Sequence, residues 1–181
     1  MPITEFAVLE LNKPHKFHSS PILDFFRLLS KRQSEYSSFP LVFFEDSKAP
    51  STIYLLSGWR DAEHHMEWIR SEGNQELLQL LGPYLHVKEL LHLGIDFGGL
   101  PIEGTEYLVF KKYQSENDVD AVDGQRASNI AWSSLGVNVE SDAGIVYQIE
   151  SHKREPSLEE LAGERKGGKL VEIISMKHLE L

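Results

Sequence analysis

The chain has 181 residues, of which 28 are acidic and 18 basic, so its formal net charge is −10. Such acidity disfavours nucleic acids and anionic membranes as partners, because both carry negative charge themselves. The absence of cysteine excludes disulfides, thiolate metal ligands and a cysteine nucleophile. The N-terminal sequence has neither a basic leader nor an apolar run of signal length, which predicts a cytoplasmic protein.

The first half of the chain predicts the element order β-α-β-β-α-β. The predicted elements are a strand at 5–11, a helix from Pro21, strands at 41–45 and 52–59, a helix from Asp61 to Leu81 with a break near Gly73, and a strand at 86–97. Asp61 is placed to cap the second helix, and acidic residues follow it in the first turn. This order is that of a ferredoxin-like module, assigned to residues 1–98.

After a glycine-rich linker at 98–104, the second half predicts a shortened form of the same order at 104–181. The predicted elements are a strand at 106–113, a weakly helical polar segment at 114–127, a hairpin at 129–140 and 143–151, a helix at 157–165 and a strand at 169–181. Strands with apolar residues on both faces need cover on both sides. We therefore predict an α+β fold in which two ferredoxin-like modules form an intrachain, pseudo-dimeric α+β barrel.

The stretch YLLSGWRDAEHHMEWIRSEGNQELLQLLGPYL, followed by LLHLGID, carries a family resemblance. It resembles antibiotic-biosynthesis-monooxygenase-like members of the dimeric α+β barrel superfamily, and fungal proteins of that type in particular. The resemblance implies the barrel fold and a hydrophobic, aromatic or polyketide-like ligand of secondary metabolism. Members include cofactor-independent monooxygenases, cyclases, lyases and non-catalytic proteins. Many of the monooxygenases have a histidine nine residues beyond the strand tryptophan, where this chain has Trp68.

Three residues are candidates for catalysis. His92 shares a strand face with His86, and that face is predicted to line the barrel interior, while Leu85, Leu91 and Leu93 are predicted to lie under the helices. A buried histidine can act as a general acid or base. His64 and His65 diverge by about 100° on their helix, so only one can point inward; the resemblance favours His65. Tyr54 could polarise a substrate oxygen.

Other aromatic and polar side chains could line a cavity. The candidate substrate-binding residues are Trp59, Trp68, His86, Tyr107, Trp132 and Tyr147. Each has a plainer interpretation as packing, and Trp59 in particular is typical of a structural anchor. No metal site is predicted, since the chain has no HExxH sequence, and no nucleophile elbow or phosphate-binding glycine motif is present.

Together these patterns favour a cofactor-independent enzyme that transfers a proton at carbon in a hydrophobic small molecule. Isomerase, cyclase, lyase and cofactor-free monooxygenase reactions all begin from such a step. The alternative is a non-catalytic, small-molecule-binding or stress-related barrel whose interior is filled by its own side chains. The small molecule is the only partner predicted, and the chain is expected to be a monomer or a homodimer.

Overall fold

The computed structural model of the chain describes residues 2–46, 48–115, 130–141, 144–161 and 168–181. The strands are β1 (Ile3–Leu11), β2 (Val42–Asp46), β3 (Ala49–Trp59), β4 (Leu85–Leu93), β5 (Tyr107–Ser115), β6 (Ile130–Gly136), β7 (Ile145–His152) and β8 (Gly168–Leu179). The helices are α1 (Ile22–Ser37), α2 (Ala62–Arg70), α3 (Glu72–Leu81) and α4 (Leu158–Leu161). The fold is thus α+β, as predicted, and no helix within the described ranges is long and apolar enough to cross a bilayer.

Helix boundaries follow local signals in the sequence. Asp61 caps α2 by accepting a hydrogen bond from the backbone N–H of His64 at 2.8 Å, as predicted. The predicted break lies at Ser71, two residues before Gly73, and the Ser71 hydroxyl accepts from Asn74 N–H to start α3. The predicted weakly helical segment at 114–127 lies outside the described residues from position 116 onward.

All eight strands belong to one antiparallel sheet. Their order is β4-β1-β3-β2-β8-β5-β7-β6, so β1–β4 occupy one half and β5–β8 the other. The two outermost strands meet: the N–H of Gly94 donates to the carbonyl of Val137 at 2.9 Å, and the N–H of Val139 donates to the carbonyl of His92 at 2.8 Å. We call this junction of 92–94 with 137–139 the seam. The sheet therefore curls until its two ends are joined.

Curling produces two separate cores. The helix-side core packs α1, α2 and α3 against the outer face of β1–β4 and includes Phe26, Trp59 and Trp68. The inner core lies between the two halves of the sheet, where the rings of Phe6 and Phe110 stack in parallel with centroids 4.0 Å apart. Both faces of the first half are thus apolar and buried, which explains its nearly continuous hydrophobic strands.

The predicted faces of β4 are wrong over most of its length. Leu85 does lie in the helix-side core, but Leu91 and Leu93 belong to the inner core. The cause is a β-bulge: β1 pairs Val8 with Glu89 and then Leu9 with Val87, so one residue of β4 is passed over. A bulge reverses the alternation beyond it. His92 consequently faces the helices instead of the interior, and it does not share a face with His86.

Gly136 is expected to be required for the seam. A Cβ at this position would lie 2.7 Å from the Ile95 side chain and 2.8 Å from the carbonyl oxygen of Gly94. The carbonyl of Gly94 is part of the backbone and cannot move aside as a flexible side chain could. Gly136→Ala should therefore lower the free energy of unfolding, measured by urea titration, by about 1–3 kcal/mol. Gly73→Ala is the matched control, since its Cβ would lie 3.7 Å from Trp68 in ordinary contact; it should gain about 0.5–1 kcal/mol. Equal stability of Gly136→Ala and wild type would contradict this account.

Candidate functional site

Helix α2 directs two residues of the predicted site toward the sheet. His65 and Trp68 are three positions apart, so they share one helix face, and they are 3% and 5% exposed. The His65 ring stacks on the indole of Trp59 at 4.4 Å between centroids. This resolves the choice between the neighbouring histidines, because His65 points inward while His64 is half-buried against Tyr36.

A carboxyl group lies at the inner end of this region. Glu5 of β1 is buried, and its Oε2 accepts hydrogen bonds from Trp59 Nε1–H at 2.6 Å and from the Gln33 amide at 2.8 Å. Its other oxygen, Oε1, lies 3.6 Å from Nε2 of His65. Three elements, α1, α2 and β3, thus supply polar groups to one side chain of β1.

His92 continues the contact toward the surface. Nδ1 of His65 lies 2.6 Å from Nε2 of His92, and Nδ1 of His92 lies 2.6 Å from Oε2 of Glu140. We refer to His65 and His92 as the His pair. His92 is fully buried, whereas the Glu140 side chain is 51% exposed. The four groups therefore form a line from a buried carboxyl to a solvent-accessible one, in which the two outer contacts have hydrogen-bond length and the inner one, between Glu5 and His65, is longer at 3.6 Å.

Burial sets the protonation of the inner groups. It raises the pKa of Glu5 to about 7, against the opposing effect of the hydrogen bonds from Trp59 and Gln33. It also lowers the pKa of His65 to about 3, helped by the neighbouring His92 and His64. Both shifts favour the neutral form, because the surroundings are apolar. A neutral carboxyl next to a neutral imidazole is the arrangement that a buried site favours.

Tyr54 and Tyr147 occupy the other face of the sheet. Both belong to the inner core and are 5% exposed. Burial raises the pKa of Tyr54 to about 12 and also raises that of Tyr147, and Glu172 adds to both shifts. Tyr54 and His92 were predicted to act together, but the sheet separates them. The predicted interior cavity is filled at its centre by Phe6 and Phe110.

The remaining predicted binding residues are dispersed. His86 is exposed beside Glu10, with Nε2 3.7 Å from a carboxylate oxygen, and does not contact the His pair. Tyr107 and Trp132 are half-buried, with Trp132 packed against the inner core. Trp68 lines an open groove of about 530 Å³ on the helices, together with Tyr36 and acidic side chains of α1 and α3. Of the predicted site residues, the structure brings together His65, His92 and Trp59.

Sequence reasoning missed Glu5, Gln33 and Glu140. Glu5 had a usable signal: it is one of two acidic residues, with Glu10, in a strand predicted to be buried on both faces, and buried carboxyls need partners. Gln33 lies in a polar helix tail, and Glu140 follows a strand at the far end of the sheet order. Nothing in the sequence around Gln33 or Glu140 indicates that either residue lies near the His pair.

A second buried polar cluster lies in the other half. Lys111 Nζ is 3.1 Å from one oxygen of Glu150, and His152 Nε2 is 3.4 Å from the other. All three side chains are almost fully buried. Within the described part of the chain, no group of three or more His, Asp and Glu side chains is arranged to hold a metal ion.

Comparisons with known proteins show the fold and nothing narrower. No family model and no curated protein matches the sequence. A candidate monooxygenase from Fusobacterium nucleatum has a similar structure, with a TM-score of 0.65 and 8% identity over 99% of this chain and 93% of that one. A candidate chlorite dismutase has a TM-score of 0.64 and 11% identity, over 99% of this chain and 95% of that one. A candidate monooxygenase from Lactobacillus acidophilus has a TM-score of 0.58 and 10% identity, over 98% of this chain and 93% of that one.

Replacing Glu5 by glutamine is expected to remove one pH dependence of stability. The pKa of Glu5 rises from 4.5 to about 7 on folding, so the folded state holds a proton that the unfolded chain releases. Protonated Glu5 therefore contributes about 3 kcal/mol to the free energy of unfolding below pH 4.5, and this contribution is lost as the pH rises to about 7. Glutamine does not titrate, so the stability of Glu5→Gln should increase relative to that of wild type as the pH rises from 4.5 to 7.

Urea unfolding at several pH values measures this difference directly. Glu63→Gln serves as the control, because it also removes one acidic side chain but lies on the exposed side of α2. A constant difference between Glu5→Gln and wild type from pH 4.5 to 7 would show that Glu5 is ionised in the folded protein.

Proposed function

We propose that the chain is a cofactor-independent enzyme that transfers a proton at carbon in a hydrophobic, aromatic or polyketide-like small molecule. The observation that supports this most directly is the line of contacts from Glu5 through the His pair to Glu140. Imidazole and carboxyl groups in contact are the usual means of acid–base catalysis near neutral pH. Isomerase, cyclase, lyase and cofactor-free monooxygenase reactions remain open within this proposal.

The proposed site of reaction is the outer end of the line, at the seam. Glu140 is half exposed there and contacts the His92 ring. Val137 and Val139 of the same segment are 42% and 49% exposed, and an apolar molecule could cover them while its acidic carbon meets the carboxylate. This location replaces the barrel interior, because His92 faces away from the inner core.

We further propose that residues 1–98 and 104–181 are two ferredoxin-like modules of one pseudo-dimeric barrel in the dimeric α+β barrel superfamily. The support is the repeated strand order, β4-β1-β3-β2 and then β8-β5-β7-β6. The similar structures named as candidate monooxygenases agree with this placement. In this proposal the protein is a cytoplasmic monomer or homodimer.

A second function has an observation in its favour. The centre of the inner core is occupied by the stacked rings of Phe6 and Phe110, with Tyr54 5.9 Å from Phe6. A barrel filled by its own side chains is what a non-catalytic, small-molecule-binding or stress-related protein would have. Under this alternative, ligand binding would occur with no turnover, and changes in the His pair would leave affinity unaltered.

His92→Gln is expected to abolish most of the proposed proton transfer. Exchange of carbon-bound hydrogen can be followed by proton NMR in heavy water, using a panel of aromatic 1,3-diketones and polyketide-like phenols, with oxygen consumption recorded in parallel. Wild type should accelerate exchange in at least one compound, and His92→Gln should slow it by about 10²–10⁴-fold, the usual contribution of a general acid or base, because Glu140 loses the imidazole that contacts its carboxylate. Oxygen uptake would identify the monooxygenase form.

His18→Gln provides the control, since His18 is an exposed histidine in the loop before α1. Glutamine at position 92 retains hydrogen-bonding capacity, and thermal unfolding verifies that the variant is folded. Unchanged exchange in a folded His92→Gln protein, or no acceleration by wild type, would refute the enzymatic proposal and favour the binding protein.

A further inference from the structure

The order of nitrogen atoms along the line restricts where its protons can be. Nε2 of His65 faces Glu5, Nδ1 of His65 faces Nε2 of His92, and Nδ1 of His92 faces Glu140. A neutral imidazole has one N–H and one lone pair. A contact of 2.6 Å between ring nitrogens needs one proton between them, because two protons or two lone pairs would repel.

Only two arrangements of neutral histidines satisfy every contact. In the first, His92 donates from Nδ1 to an ionised Glu140, His65 donates from Nδ1 to His92, and a protonated Glu5 donates to Nε2 of His65. In the second, Glu5 is ionised, both histidines carry their proton on Nε2, and Glu140 is protonated. Both arrangements have the same total charge and share a proton across each of the two 2.6 Å contacts, whereas the 3.6 Å between Glu5 Oε1 and His65 Nε2 must shorten to hydrogen-bond length before the third proton can pass.

We propose that Glu5, His65, His92 and Glu140 form a proton relay that moves one proton between the buried carboxyl and the surface carboxyl. The O–H bond of Glu5 breaks as an N–H bond forms at His65 Nε2, and the His65 Nδ1 proton passes to His92 Nε2. The His92 Nδ1 proton then passes to Glu140. No histidine becomes doubly protonated, and the total charge of the four groups is unchanged, although the negative charge moves from Glu140 to the buried Glu5.

The groups that face the relay leave this proton free to move. From α1 and β3, Gln33 and Trp59 donate to Glu5 Oε2 and leave Oε1 for His65. From α2, His64 lies beside His65 as the remaining titratable neighbour. Among the described residues, no lysine or arginine forms an ion pair with Glu5 or Glu140. No fixed cation therefore holds the negative charge at either end.

The uncharged surroundings of Glu5 also bring its pKa close to neutral pH. Burial raises the pKa of Glu5 to about 7, so the first arrangement is populated near neutral pH. The relay goes beyond the proposed function, since it needs only these four side chains. In the proposed enzyme it would carry the Glu5 proton outward, so that Glu140 becomes protonated and can donate that proton to the substrate carbanion, while a proton that ionised Glu140 takes from the substrate leaves to solvent from its exposed side.

The relay makes a sharp prediction about histidine tautomers. At about pH 6, below the raised pKa of Glu5, both histidines should carry the proton on the same ring nitrogen, either Nδ1 in both or Nε2 in both. Nitrogen-15 NMR of histidine-labelled protein reports the tautomer of each ring, with assignments from His65→Gln and His92→Gln. Wild type should show the two forms interconverting together, with signals at averaged positions.

Glu140→Gln separates the relay from a static hydrogen-bond network. Its amide oxygen can accept from His92 Nδ1–H but cannot take the proton, so both histidines should be locked as the Nδ1–H tautomer and the Nε2–H share should fall to none. Glu140 is half exposed, so this variant is expected to fold. Glu5→Gln should give the same locked pattern, because its amide can donate to His65 Nε2. Glu63→Gln should reproduce wild type.

Opposite tautomers on His65 and His92, a doubly protonated ring at pH 6, or identical spectra for wild type and Glu140→Gln would each overturn the relay. The NMR measurement uses no substrate. A relay without hydrogen exchange in the activity assay would leave the binding-protein alternative, whereas exchange without tautomer coupling would leave an enzyme whose proton takes another route.

Discussion

The structure of the first half depends on how the protein accommodates the carboxyl group of Glu5. A carboxylate enclosed by the helix-side core would be very costly if it were ionised and alone. Three elements supply polar partners that reduce this cost: Trp59 and Gln33 donate to one oxygen, and His65 lies near the other. Because those partners come from α1, α2 and β3, the packing of both helices on the sheet is tied to the position of a single side chain.

The same requirement connects this core to the seam. His65 can approach Glu5 only if its remaining nitrogen finds a partner in the apolar surroundings, and His92 is that partner. His92 in turn contacts Glu140, which follows the backbone pairing of Val139 with His92. A polar group buried in β1 is therefore satisfied, step by step, at the junction where the two ends of the sheet meet. Sheet closure and the polar line stabilise each other.

The element order was predictable in part because the starts of α2 and α3 have local causes. Asp61 caps α2 through its own side chain, and Ser71 stops one helix and starts the next. The site was less predictable. Even spacing places His86 and His92 on one face, but a bulge in β4 reverses that alternation. With both faces of the sheet buried, hydrophobicity could not reveal the error, since Leu85 and Leu91 are equally apolar and lie in different cores.

Side-chain contacts between distant parts of the chain could not be predicted from the sequence for a related reason. The contact between His92 and Glu140 exists only because the sheet closes, and closure depends on the register of all eight strands. A pattern within one strand carries no information about the strand that meets it after a full turn of the sheet. Glu5 differs, since an acidic residue in an apolar strand signals a polar partner, although it does not identify which one.

The second half shows that a buried carboxyl can be accommodated in another way. Val109 stands two residues after the start of β5, where Glu5 stands in β1, and the buried acid of this half is Glu150 on β7. Lys111 lies 3.1 Å from Glu150 and supplies a positive charge. Glu5 has no lysine or arginine beside it among the described residues, and burial raises its pKa to about 7. Proton movement is therefore expected in the first half, because there the charge is balanced by protonation and not by a cation.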